Sequence, residues 1–85
     1  MLRSVATGET GLLVIGHGTR DARGLAEFEQ VVALAADRYH DRPVERGYLE
    51  LAEPTIPQGV ARLVERGVRR IDVAPLLLLV STSHI

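Results

Sequence analysis

Gly11-Leu12-Leu13-Val14-Ile15-Gly16-His17-Gly18-Thr19-Arg20-Asp21 is the stretch that decides the fold. Its apolar run has the length and composition of a strand buried on both faces. The run ends at a histidine held between two glycines. In open α/β sheets ligands sit at the carboxyl ends of the strands, so a titratable side chain there reads as chemistry rather than packing. His17 is the first candidate site residue. The plainer alternative is a structural imidazole bonded to a backbone carbonyl, and the flanking glycines argue against it.

Outward from this strand the pattern alternates. Ala22 to about His40 reads as a helix, because Leu25, Phe28, Val32, Ala35 and Tyr39 recur at three- and four-residue spacing. Asp21 fits its N-cap, and Asp41-Arg42-Pro43 stops it. Val44–Leu51 is a second strand, less apolar and so nearer an edge. Thr55 then caps a second helix with Pro57 in its first turn, Val60, Leu63 and Val64 as its buried stripe, and Gly67 as the residue that ends it. Val68–Leu79 supplies a third strand. The order β-α-β-α-β with short connections predicts an α/β fold, a three-layer parallel sheet with right-handed crossovers and strand order 2-1-3. Residues 1–10 read as a disordered leader and 11–85 as one α/β domain. With two helices, part of the sheet lacks cover, so the domain reads as incomplete at its C-terminus, or else a partner supplies the missing layer.

Composition narrows the partners. The 85-residue chain has no cysteine, which excludes disulfides and thiolate metal sites and fits a reducing cytoplasm. A formal net charge of −1 gives no electrostatic reason to expect nucleic acid or an anionic membrane. No stretch has the form of a signal peptide, and Leu76-Leu77-Leu78-Leu79-Val80 is too short to span a bilayer. The reading is a soluble cytoplasmic protein.

Parallel strands end on one side. Topology therefore brings His17, Glu50 (end of strand two) and His84 (just past strand three) to one edge of the sheet. Two imidazoles and a carboxylate suit a divalent first-row metal such as cobalt, iron, nickel or zinc. Positions left open at such a site suit a metal that is handed on.

Three blocks carry a resemblance: Gly16-His17-Gly18-Thr19-Arg20-Asp21, then Tyr48-Leu49-Glu50-Leu51-Ala52-Glu53-Pro54-Thr55-Ile56, then Val73-Ala74-Pro75-Leu76-Leu77 leading to a histidine. In order and spacing they resemble the small sirohydrochlorin cobaltochelatases of the class II tetrapyrrole chelatases, a family that also holds sirohydrochlorin ferrochelatase. The Ser83-His84-Ile85 ending is similar to the ferrochelatase branch. The resemblance implies a chelatase half domain and insertion of a divalent metal, Co²⁺ or Fe²⁺, into a tetrapyrrole without ATP or an organic cofactor. It implies that His17 and His84 bind the metal or take pyrrole protons, that Glu50 assists, and that the protein is a homodimer. Sirohydrochlorin is rich in carboxylates, so Arg20 either pairs with one of them or is a solvated loop residue.

Three rival readings stand beside this one. A histidine phosphatase would place an arginine directly before the histidine, where this chain has Gly16. A dinucleotide fingerprint fails because Gly16 and Gly18 have no third glycine at the required position. The third is a non-catalytic chelatase-like chain that only binds metal or tetrapyrrole.

Overall fold

The computed structural model describes residues 10–76. His84 and the last part of the expected third strand lie outside the described residues, as does nearly all of the expected leader. Five elements follow one another: β1 (Thr10–Gly16), α1 (Ala22–Arg38), β2 (Val44–Tyr48), α2 (Ile56–Glu65) and β3 (Arg70–Pro75).

The three strands form one parallel sheet in the order β2-β1-β3. Alternation along β1 sends Leu13 to one face and Val14 to the other, and both are buried. Leu13 packs with Leu63 of α2 and with Val68, and Ile15, Ile56, Val60 and Ile71 gather around them. On the opposite face Leu12 and Val14 lie beside Val31 and Ala35 of α1. The helices therefore cover opposite faces, giving the expected three-layer architecture with β1 central.

Each helix begins where its sequence says it should. The Asp21 side chain accepts from the Arg23 amide at the start of α1. Thr55 and Gln58 form a reciprocal capping box at the start of α2, each satisfying the other's backbone amide. Gly67 follows α2 with φ +89°, a conformation that favours glycine.

Four boundaries differ from the sequence reading. β1 begins one residue earlier, at Thr10, and α1 ends at Arg38 with Tyr39 as its C-cap. β2 ends at Tyr48 rather than Leu51, and on its outer edge the Tyr48 amide donates to the Pro54 carbonyl at 2.8 Å. That bond closes a loop over residues 49–54. β3 begins at Arg70, although Val68 just before it is buried.

Val64, expected in the buried stripe of α2, is 58% exposed, and Val73 on β3 is 53% exposed. The cause is placement: α2 packs mainly on β2 and β1, so the side of the sheet nearest β3 is thinly covered. Among the described residues, no helix is long and apolar enough to cross a membrane.

Candidate functional site

The site grows out of the end of β1. Register pairs Gly16 with Tyr48, and the ladder continues beyond the strands. The Leu49 amide donates to the Gly16 carbonyl at 2.9 Å, and the Glu50 amide donates to the His17 carbonyl at 3.1 Å. Gly18 has φ +98°, and a Cβ there would collide with the Glu50 carbonyl. Only glycine lets the two segments approach so closely.

This stitching brings two predicted side chains together. His17 Nε2 lies 3.7 Å from Glu50 Oε2, with both side chains about half exposed. His17 Nδ1 lies 3.2 Å from the Gly18 carbonyl. A carbonyl only accepts, so in the tautomer that donates to Gly18 the proton sits on Nδ1 and Nε2 is the nitrogen left to bind on the Glu50 side. Imidazole nitrogen and carboxylate oxygen form a two-donor set suited to a first-row divalent ion. Among the described residues no group of three or more His, Cys, Asp or Glu donors comes together. Glu50 stands in the loop just past β2 rather than on the strand itself. Arg20 is exposed on the same rim as His17 and makes no ion pair among the described residues.

Beside His17 opens a cavity of about 290 Å³. It is lined by Gly16, His17, Gly18 and Thr19 from the end of β1 and the loop after it, by Gly24, Leu25, Glu27 and Phe28 of α1, and by Tyr48 and Leu76. Gly16 is required here too, since a Cβ would come within 2.8 Å of the Phe28 ring. Phe28 in turn meets Tyr48 at a ring-centroid separation of 5.3 Å, tilted by 54°.

Tyr48 fixes the floor. Its hydroxyl donates to Glu29 Oε2 at 2.7 Å, and Arg46 Nε donates to the same oxygen at 2.7 Å. Burial first, and then the Glu29 carboxylate, push the Tyr48 phenol up to about 12. For Arg46, burial pulls the guanidinium down and Glu29 outweighs it, holding the group above its ordinary value.

Glu27 and Tyr48 were not singled out from the sequence. Tyr48 stands two residues before Glu50, while Glu27 carries no signal in the sequence beyond its place on a helix.

Comparison with known proteins fits this layout. The family model CbiX matches residues 11–84. The chain is 37% identical over 79 residues to the sirohydrochlorin cobaltochelatase of Methanothermobacter thermautotrophicus, covering 87% of this chain and 52% of that one. It is 29% identical over 68 residues to the chloroplastic sirohydrochlorin ferrochelatase of Arabidopsis thaliana, covering 80% of this chain and 30% of that one. The crystal structure of a cobalamin (vitamin B12) biosynthesis CbiX protein from Marinobacter aquaeolei VT8 superposes with a TM-score of 0.71 at 30% identity, over 81% of this chain and 55% of that one. The chain thus spans about half the length of the cobaltochelatases it matches. With the match running from the first strand to His84 and the fold shared with a solved CbiX protein, this chain belongs to the CbiX family.

Proposed function

We propose that the protein inserts a divalent metal, cobalt or iron, into sirohydrochlorin without ATP, acting as a chelatase of cobalamin or siroheme biosynthesis. The observation that carries this is the His17–Glu50 pair, whose facing Nε2 and Oε2 stand 3.7 Å apart at the carboxyl end of a parallel sheet. Metallation needs a group that strips water from the cation and groups that accept two pyrrole protons. A neutral imidazole does either through its free nitrogen near pH 7. The Glu50 carboxylate beside it offsets the cation's charge or passes protons to solvent.

In this reading His84 supplies a second imidazole, Arg20 pairs with a substrate carboxylate, and two copies of the chain associate as a cytoplasmic homodimer. The names of the relatives support the tetrapyrrole and both metals, since they include cobaltochelatases and a ferrochelatase.

A second reading is a binder of metal or tetrapyrrole without catalysis. One assay separates the two. Sirohydrochlorin with Co²⁺ or Fe²⁺ and the purified protein is expected to develop the metallated absorption spectrum, and His17→Ala to abolish it while circular dichroism stays unchanged. A shifted tetrapyrrole spectrum that never converts overturns the chelatase assignment in favour of the binder.

A further inference from the structure

We propose that Glu27 is a catalytic carboxylate that receives one of the two pyrrole protons inside the cavity; this rests on the chelatase reading above. The argument begins with what His17 can offer. Its Nδ1 is engaged with the Gly18 carbonyl at 3.2 Å, so one lone pair remains, on Nε2. A single lone pair cannot hold a cation and accept a proton at once. Metal insertion breaks two N–H bonds, so it needs a base besides this imidazole.

Glu50 is not among the described residues that line the cavity; Glu27 is. From α1 it lines the same cavity as Gly16, His17 and Gly18. Several other carboxylates of the described chain are engaged. Glu29 holds Tyr48 and Arg46, Glu45 faces Arg46, Arg62 and Arg66, and Asp72 pairs with Arg42. Glu27 has no hydrogen bond or ion pair with any described residue, and Arg23, one turn earlier on α1, does not reach it. A carboxylate that lines the cavity with Leu25 and Phe28, and that has no partner among the described residues, is placed to take a proton, and its exposure gives that proton a way out to water.

The step balances without an oxidant or reductant. Each pyrrole N–H bond breaks with its electron pair left on nitrogen, and that pair forms the nitrogen–metal bond. One proton goes to a Glu27 carboxylate oxygen and on to solvent, and the other leaves through Glu50 to water. Two positive charges enter the macrocycle and two protons leave.

The test uses the full chain and the variants Glu27→Gln, Glu27→Ala and Glu27→Asp. With sirohydrochlorin and Co²⁺, Glu27→Gln is expected to lower kcat by about 100-fold, a typical loss for a general base. KM for the tetrapyrrole should stay within about twofold, and Glu27→Asp should recover part of the rate. A second readout needs no turnover: Glu27→Gln should weaken equilibrium binding of a tetracationic N-methylpyridyl porphyrin by several-fold and leave a tetrasulfonated porphyrin bound at least as well. If wild type metallates, His17→Ala does not, and Glu27→Gln keeps wild-type kcat, the Glu27 role is overturned while the chelatase reading stands. A wild type that binds sirohydrochlorin but never metallates it overturns both. Unaltered binding of both porphyrins by Glu27→Gln removes Glu27 from the ligand cavity and overturns the proposal by itself.

Discussion

Gly18 lies against the carbonyl of Glu50 so closely that no side-chain carbon fits between them. The contact joins the loop after β1 to the loop after β2, the two segments that carry the imidazole and the carboxylate. Glycine at position 18 is therefore a requirement of the site and not only of the turn.

Gly18→Ala should separate those loops. The added Cβ meets main chain rather than a flexible side-chain end, and φ +98° is itself unfavourable for alanine. The expected cost is about 1–3 kcal/mol of stability, together with loss of metal insertion. Thermal unfolding and the Co²⁺ insertion assay check the two parts separately. Full activity in Gly18→Ala would show that the close approach is dispensable.

Glu50→Ala tests the carboxylate itself. The side chain is about half exposed and its contact is with His17, so thermal stability should change by less than about 0.5 kcal/mol, as at other surface positions. Insertion should slow by about tenfold or more, because the cation loses an anionic neighbour. Unimpaired turnover would assign the carboxylate work elsewhere.

Much of this architecture was legible before any coordinates. The apolar run of Leu12–Ile15, the Asp21 and Thr55 caps and the paired glycines each have a local physical cause, and each appears where that cause puts it. The juxtaposition of His17 and Glu50 was legible as well, because parallel topology aligns strand ends. What escaped depended on contacts between distant segments. Nothing near Leu49 announces that Tyr48 will bond Pro54 and end the strand early. Val64 carries the composition of a core residue, and only the position of α2 over β2 leaves it exposed. Glu27 reads in sequence as an ordinary helix-surface carboxylate, and only the cavity beside it gives it a role.

The Glu29–Tyr48 bond should make stability fall at alkaline pH. Tyr48 holds its proton up to about 12 in the folded chain, against 10.0 ordinarily. Below pH 10 both states are protonated and the full contribution is present. Between 10 and 12 the unfolded chain releases the proton and the folded one does not, so unfolding is progressively favoured, by about 2–3 kcal/mol in total. Denaturant titrations at stepped pH should show this slope in wild type and a shallower one in Tyr48→Phe. Equal slopes would mean that the phenol does not contribute.

Removing Glu29 should cost more than removing the hydroxyl it holds. Glu29→Ala strands a buried phenol and leaves Arg46 without its 2.7 Å partner, for an expected loss of about 1–3 kcal/mol. Tyr48→Phe alone should cost about 1 kcal/mol, and the double variant less than the sum. Additive losses in a double-mutant cycle would show that the two side chains act independently.

Leu63 is fully buried against Leu13 and Val68 in a small core. Leu63→Ala should destabilise by about 2–5 kcal/mol, a large share of what a domain of this size possesses. Chemical denaturation reads the effect directly, and a loss under 1 kcal/mol would show that the core closes over the gap.

The amides of Leu49 and Glu50 reach across to the carbonyls of Gly16 and His17. The backbone spacing between His17 and Glu50 is consequently dictated by peptide geometry, which hardly varies from one amino acid to another. Side chains on the outer turn of that loop can change without moving those two backbone anchors. Selectivity between metals would then have to be tuned by what surrounds the pair, because its spacing is built into the main chain.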